Sequence, residues 1–253
     1  MAVQTLSITK LGQNEPFDLQ VSRGQITGHE TIFRTAYSGF VSNAAVRAIW
    51  NRANAYVFPA SASLMNLSSS VAGDVGQAVL VEGLDANYKD ISEVILLNGQ
   101  SAVSSTKSFL RVNDLIVVSG SPTGNIYFGT GALTAGVPAN VYNFISALDN
   151  KSQVAIYTVP AGYTLHIAGG SVSTSGLAVT DFMTIDFRAI ISGINYSTAK
   201  IFASNSFQFF PYIPPATIME KTDIYDTVTG SAVGPDKIMA SFTGVLIKND
   251  GTL

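Results

Sequence analysis

The side chains in this chain that could hold a metal ion or act as a nucleophile are few. Cysteine is absent, which excludes thiolate metal sites, disulfides and cysteine nucleophiles. The two histidines, His29 and His166, are far apart in the sequence, and neither stands in a ligand spacing such as H-x-x-x-H. We therefore expect both to be structural residues of strands or turns, and we expect no bound metal.

One acidic segment has part of the pattern of a calcium loop. Asp85, Asn87 and Asp90 follow one another as the oxygen ligands of such a loop would. However, Lys89 occupies a position that requires Asp or Asn, and Asp90 stands where the loop requires Gly. The segment therefore predicts a hydrogen-bonded turn, with calcium binding as the weaker alternative.

A second acidic segment offers the pair of carboxylates that glycoside hydrolysis requires. Asp223 and Asp226 flank Tyr225 and could form such a pair or a sugar-binding surface. Because the chain has 17 acidic residues, some such pair would be found by chance alone. We expect Asp223 and Asp226 to belong to a solvated turn.

Phosphate-binding and hydrolase motifs are incomplete in this sequence. Gly129-Thr130-Gly131 and Gly136 lack the spacing and the Lys-Ser or Lys-Thr ending of a phosphate loop, so we interpret them as a flexible loop. Ser171 follows two glycines, but the G-x-S-x-G pattern is absent and no histidine is near it. We assign no catalytic, cofactor-binding or metal-binding residue, and we predict a protein that is not an enzyme and has no cofactor.

The composition favours a protein that buries surface against other subunits. Charged residues make up only 12% and apolar residues 47%, so an exposed surface of this kind would be poorly soluble. The alternative is an ordinary monomeric β-sandwich. The net charge of -3 is spread singly along the chain, which argues against nucleic-acid binding. No stretch has the apolar length of a membrane helix or a signal peptide, so we expect synthesis in a cytoplasm and no membrane partner.

The periodicity of the sequence predicts an all-β protein. Met183, Ile185, Phe187, Ala189 and Ile191 alternate with polar residues and should face a core. Strand patterns of this kind occur at 78–84, 89–97, 108–118, 126–128, 154–159, 163–168, 181–191, 193–203, 206–213 and 238–247. The first three should form an antiparallel meander, and 154–168 a hairpin about a turn at 160–162. The only helical spacing is at Ala44 to Ala53, after a possible cap at Asn43.

The turn-forming residues Ser119 to Asn125 suggest a boundary between two domains. We place an N-terminal β domain at 1–125 and a C-terminal β-sandwich at 126–253, both antiparallel and sandwich-like or jelly-roll-like. Pro211, Pro214 and Pro215 confine the strand at 206–213 to a sheet edge or end it. The aromatic residues Phe207, Phe209, Phe210 and Tyr212 of that strand fall on both of its faces, which favours a core strand or a subunit contact over ligand stacking.

Several segments of the chain resemble those of a family of structural proteins from the virions of tailed bacteriophages, common in phages of aquatic bacteria. The matching segments are Val21–Gly24, Ala48–Trp50, Tyr56–Pro59, Gly83–Glu93, Leu97–Gly99, Ser108–Asn113, Tyr157–Gly162 and Glu220–Ile224. They follow one another over most of the chain, and each is a turn or a strand edge. In one departure, Asn51-Arg52-Ala53-Asn54 stands where the family has a Gly-rich turn.

The resemblance implies a protein of the virion, present in many copies and without a cofactor. We expect a capsid decoration or cement protein that binds itself, as a trimer at three-fold positions, and the major capsid protein. A subunit of the tail or fibre base, with tail proteins as partners, is one alternative. A protein that binds carbohydrate on the host surface is another, and it would need an exposed aromatic platform or a carboxylate pair in a groove.

Overall fold

The protein is almost entirely β, as the periodicity predicts. The computed structural model describes residues 15–39, 41, 45–178, 180–230 and 236–249. Within these ranges the elements are α1 Phe17–Ser22, β1 His29–Ser38, β2 Arg47–Ala48, β3 Asn66–Ser69, β4 Val75–Leu84, β5 Asp90–Asn98, β6 Val103–Ser104, β7 Arg111–Ser119, β8 Ile126–Thr134, β9 Val137–Ile145, β10 Ile156–Thr158, β11 Tyr163–Ser175, β12 Met183–Ile191, β13 Ile194–Ala203, β14 Phe207–Ile218, β15 Asp223–Gly230 and β16 Lys237–Lys248. No helix in the described part of the chain is long and apolar enough to cross a membrane.

The helix predicted at Ala44 to Ala53 is wrong, and its proposed cap at Asn43 lies outside the described residues. Arg47–Ala48 is instead a short strand that pairs with β15. Ile49 packs into one hydrophobic cluster and Trp50 into another, so neighbouring side chains point to opposite sides. An extended chain allows this arrangement, whereas a helix would place both on one face.

Two antiparallel sheets pack face to face to form what we call the large sandwich. Sheet 1 has the strand order β1-β16-β11-β14, and sheet 2 has the order β10-β15-β12-β13, with β2 also paired to β15. Met183, Ile185 and Ala189 of β12 point into the core between them, as the alternation predicts, while Ile191 is exposed at the end of the hairpin. β14 is an edge strand, as its prolines predict.

The small sandwich is formed by the other two sheets. Sheet 3 has the order β6-β3-β8-β9 and sheet 4 the order β5-β4-β7. Met65, Leu67, Phe109 and Phe128 are among the fully buried side chains between them. The meander predicted for the first three strands is wrong in its order, because β7 pairs with β4 and not with β5. The chain between β5 and β7 first contributes β6 to the opposite sheet.

In each sandwich, a strand that precedes the boundary predicted after Asn125 pairs with a strand that follows it. β3 pairs with β8 in the small sandwich, and β1 pairs with β16 in the large one. The turn-rich segment 119–125 is held in place by buried Asp74, whose carboxylate accepts hydrogen bonds from the backbone amides of Thr123 and Gly124 at 2.9 Å. Turn-forming residues here connect strands within one sandwich. The hairpin predicted at 154–168 is wrong, because β10 and β11 belong to different sheets.

The two sandwiches are joined by an apolar cluster and a buried ion pair. Trp50, Tyr127, Phe144 and Ile156 belong to the apolar cluster. Beside them, Arg111 of β7 donates two hydrogen bonds to Asp223 of β15, from Nε to Oδ1 at 2.7 Å and from Nη2 to Oδ2 at 2.8 Å. This two-point geometry fixes β7 of the small sandwich against sheet 2 of the large one.

We predict that Arg111→Met lowers the free energy of unfolding by about 3 to 5 kcal/mol, because it leaves the buried Asp223 carboxylate without its cation. The double variant Arg111→Met with Asp223→Asn should be more stable than Arg111→Met alone, since no unpaired charge remains. The control is Arg23→Met, which removes the guanidinium that pairs with Glu15; the Arg23 side chain is 58% exposed, so the change should cost under about 1 kcal/mol. Equal losses for Arg111→Met and Arg23→Met in urea unfolding would refute this role of the buried pair.

Candidate functional site

Both histidines lie in strands, as predicted, and each has a local contact. The ring of His29 packs edge-on against Phe17, and its Nδ1 is 3.0 Å from the carbonyl oxygen of Thr27. His166 lies on β11 with its Nδ1 3.4 Å from the hydroxyl of Thr217. No group of three His, Asp or Glu side chains in the described ranges could hold a metal ion.

The segment that partly matches a calcium loop forms the predicted hydrogen-bonded turn. The Asp85 carboxylate accepts hydrogen bonds from the backbone amides of Asn87 at 2.7 Å and Lys89 at 3.0 Å. Asp90 begins β5 and faces Glu30 and Glu82. Partial burial and these two negative charges raise the pKa of Asp90 to about 6.

The expectation of a solvated turn at Asp223 and Asp226 is wrong. Both residues are buried in β15, on opposite faces of sheet 2. Asp223 points to the small sandwich, where it pairs with Arg111 and accepts a hydrogen bond from the hydroxyl of Thr158 at 2.6 Å. Asp226 points into the large sandwich. The two carboxylates therefore lie on opposite sides of a sheet and cannot act on one substrate as a pair.

The glycines interpreted as a flexible loop belong to strand β8, which is longer than predicted. Gly129 pairs with Val141 of β9, and a Cβ at Gly129 would lie 1.9 Å from the carbonyl oxygen of Asn140. Gly136 forms the turn between the two strands with a φ of +78°. These glycines allow close approach of backbones, and the sequence alone did not distinguish this role from flexibility.

Asp226 lies at the floor of a narrow cleft between the two sheets of the large sandwich. Phe187, Phe210 and Tyr212 are among the side chains that line it, and its enclosed volume is about 20 Å³. This volume corresponds to a single water molecule, so the cleft does not accommodate an organic ligand. Burial, together with the charge of Asp186, raises the pKa of Asp226 to about 7.

The more prominent feature is the outer face of sheet 1, which we call the neutral sheet face. Four rows of residues cross its four strands in register. They are Tyr37-Met239-Ser173-Phe207, Thr35-Ser241-Ser171-Phe209, Phe33-Thr243-Gly169-Pro211 and Thr31-Val245-His166-Thr217. None of these sixteen positions carries Asp, Glu, Lys or Arg. Four large apolar side chains on the face are exposed, namely Phe33 at 62%, Met239 at 51%, Phe207 at 70% and Phe209 at 64%.

The neutral sheet face has a ridge and a trough. Phe207, Phe209 and Pro211 form the ridge along the edge strand β14. Next to it, Gly169, Ser171 and Ser173 of β11, together with Ser241 and Thr243 of β16, form a trough of small side chains. The hydroxyls of Ser171 and Ser241 are 2.7 Å apart and hydrogen-bond to each other across this trough. One hydroxyl thus donates to the other without water.

The aromatic residues of β14 divide between the two faces of the strand, as the sequence predicts. Phe210 and Tyr212 point into the cleft of the large sandwich. Phe207 and Phe209 point outward beside Ser173 and Ser171. Sequence reasoning missed Phe33 and Met239, because their strands are remote in sequence from β14. The sequence did indicate an uncharged region around β14, because Lys200 is the only charged residue between Ile190 and Met219.

The outer face of sheet 2 provides the contrast within the same molecule. It carries Asp223 and Tyr225, which contact Arg111 and Phe58 on segments of the chain outside the large sandwich. Further along, its Asp186 is paired with Arg188 at 2.9 Å. One outer face of the large sandwich is therefore covered or charged, whereas the other carries no charged residue in the four rows, with Lys237 one row beyond Met239.

Comparison of the chain with protein-family models gives no match, and comparison with curated proteins gives none either.

We predict that lowering the pH from 8 to about 5.5 raises the melting temperature, chiefly through Asp226. Its pKa is about 7 in the folded protein and has an ordinary value of 3.8. Between these values the folded chain binds a proton that the unfolded chain does not, so stability is gained as the pH falls through 7 and lost as it rises. The variant Asp226→Asn should melt higher than the unaltered protein at pH 8 and gain less on acidification.

The control variant for this measurement is Asp149→Asn, which alters an exposed carboxyl and should leave the pH dependence unchanged. A melting temperature that falls on acidification, or a pH dependence unaffected by Asp226→Asn, would show that Asp226 is not the group responsible.

Proposed function

We propose that this chain is a structural protein of a bacteriophage virion and that it decorates the capsid. The observation that carries the proposal is the neutral sheet face. Four exposed large apolar side chains among sixteen uncharged positions of one sheet face are unfavourable in water and favourable in a protein interface. The resemblance of several segments to virion structural proteins supports the virion as the assembly in which this face is buried.

The mechanism is the burial of this face against a neighbouring subunit of the shell. Apolar area removed from water contributes roughly 25 cal/mol per Å² before the costs of association. A modest contact repeated by symmetry over a closed shell then adds to its resistance to internal pressure. The bridging protein strengthens the shell without determining its geometry.

The rigidity of the neutral sheet face suits such a role. Its central strands, β16 and β11, are each hydrogen-bonded on both sides, and the core of the large sandwich packs beneath them. Binding therefore requires little ordering of the backbone, which reduces the entropic cost of each contact.

The test is to add the purified protein to particles that lack it. We expect binding that saturates at on the order of hundreds of copies per particle and restores resistance to heat and osmotic shock. Because the four rows of the neutral sheet face carry no charged residue, the affinity should change little with salt. Phe209→Asp should weaken binding at least about tenfold, because it buries an unpaired charge.

The matched control is Phe202→Asp, which alters a side chain of equal exposure, 64%, on β13. It should bind nearly as the unaltered protein does. Saturation at about a dozen copies, with tail loss in its absence, would move the assignment to the tail or fibre base. Binding that fails altogether, or that depends on an added polysaccharide, would overturn the proposal.

A further inference from the structure

We infer that Asp226 and a bulge in the edge strand β14 form a gate that a single proton operates. With the carboxyl neutral, the bulge closes the cleft of the large sandwich. With the carboxyl ionised, the bulge moves outward and water reaches the carboxylate. Such a gate is independent of the proposed function. It also differs from the pH dependence of stability described above, which a rigid cleft would show as well.

The carboxyl of Asp226 is buried without a hydrogen bond. The residue is 7% exposed and lines the cleft. Its backbone is satisfied, because its amide donates to the carbonyl of Ala155 at 3.0 Å and its carbonyl accepts from the amide of Ile49 at 2.9 Å. Within the described ranges, however, no group donates a hydrogen bond to its side chain. Buried carboxyls are normally hydrogen-bonded, as Asp223 is, so Asp226 requires a separate explanation.

No positive charge faces Asp226 from the strands around the cleft. The residues that line it are Ile167 and Val172 of β11, Ile185 and Phe187 of β12, Ala199 and Ile201 of β13, Phe210 and Tyr212 of β14, and Ser241 and Phe242 of β16, with Ile49 and Ala155 beside the backbone of Asp226. Among these, only Tyr212 is titratable, and burial and the charge of Asp226 raise its pKa. The charge that acts on Asp226 is the negative one of Asp186, which pairs with Arg188. Burial and this charge raise the pKa of Asp226 to about 7, so the carboxyl changes its charge near neutral pH.

The bulge lies in the part of β14 that covers the cleft. The ladder between β14 and β11 is interrupted at residues 212–215, which together lie opposite Ala168 alone. None of the four has a partner in this ladder, and β14 has no strand on its other side. Two of the four are prolines, which lack an amide hydrogen. The backbone therefore holds Tyr212, the first residue of the bulge, less firmly than the other side chains of the wall.

The other strands around the cleft are more firmly held. β13 is also an edge strand, but its ladder with β12 skips only Thr198, whose hydroxyl donates a hydrogen bond to the carbonyl of Phe187 at 2.8 Å. Phe187 and Phe242 lie on β12 and β16, and each of these strands is hydrogen-bonded to a neighbour on both sides. The bulge of β14 is therefore the part of the wall that moves with the smallest loss of hydrogen bonds.

Ionisation of Asp226 supplies the free energy that opens the gate. A carboxylate in an apolar cavity is strongly destabilised unless it gains hydrogen bonds. An ionised carboxyl accepts about four of them, whereas the closed cleft, with an enclosed volume of about 20 Å³, has room for about one water molecule. Outward movement of the bulge provides the remaining space. When the carboxyl is neutral, burial of Phe210 and Tyr212 favours the closed state.

The experiment is carbene footprinting of the purified full chain from about pH 5 to pH 8.5, read residue by residue by mass spectrometry. We expect labelling of Phe210 and Tyr212 to rise several-fold with pH, with a midpoint no higher than about pH 7. Labelling of exposed Leu148 should stay constant.

Asp226→Asn cannot ionise and should keep the labelling low at every pH. The matched control is Asp149→Asn, which alters an exposed carboxyl and should label as the unaltered protein does. Asp90→Asn removes the other carboxyl whose pKa is raised, to about 6, and should also retain the rise. If Asp226→Asn fails to fold, as judged by its thermal melt, Asp186→Asn tests the same gate. Loss of its negative charge lowers the pKa of Asp226, so the midpoint should move to lower pH.

Constant labelling of Phe210 and Tyr212, or a rise that persists in Asp226→Asn, would overturn the gate. A rise confined to Ala199 and Ile201 would also overturn it, because the opening would then lie at β13. A rise over the whole large sandwich would do the same, since it would mean general unfolding and not the movement of one bulge.

Discussion

The buried ion pair between Arg111 and Asp223 determines which surfaces of this protein remain open. It holds β7 of the small sandwich against β15 of the large one, beside the apolar cluster that contains Trp50. A guanidinium and a carboxylate that meet at two points allow little freedom of orientation. The small sandwich therefore contacts the outer face of sheet 2 in one arrangement. In the described part of the chain, Phe33, Met239, Phe207 and Phe209 remain exposed on the outer face of sheet 1.

The ion pairs between the two sandwiches and the absence of charged residues from the neutral sheet face have a common cause. The chain has few charged residues, and several of them are used internally. Arg34 pairs with Asp114 across the two sandwiches, and Lys151 approaches the same carboxylate at 3.3 Å. Charged residues that pair between the sandwiches do not lie on the outer surface. Few charged residues therefore remain for the outer face of sheet 1, where solubility alone would favour them.

The sequence allowed the all-β class and most strands to be predicted, because alternation along β4, β5 and β12 is a local property. It did not allow the strand order to be predicted, since the pairing of β1 with β16 joins residues some two hundred positions apart. The prediction of a helix at Ala44–Ala53 was wrong for a related reason. Ile49 and Trp50 belong to two different clusters, and spacing within one segment carries no information about a second cluster.

The candidate site was predictable only in part. The aromatic residues of β14 indicated a subunit contact from the sequence, but the other three strands of the neutral sheet face contribute single residues, such as Phe33 and Met239, in unremarkable surroundings. The burial of Asp223 and Asp226 could not be predicted from the sequence either. Two acids three positions apart suggest a turn, and only the position of β15 between two packed layers shows that one meets Arg111 and the other an apolar cleft.

The central claim is that protein covers the neutral sheet face in the functional assembly. Carbene footprinting, read by mass spectrometry, measures the exposure of side chains in the purified dilute protein and in the intact particle. We predict that labelling of Phe33, Phe207, Phe209 and Met239 falls several-fold in the particle, while labelling of exposed Leu148 stays the same. Equal labelling of these four residues in both states would contradict the account.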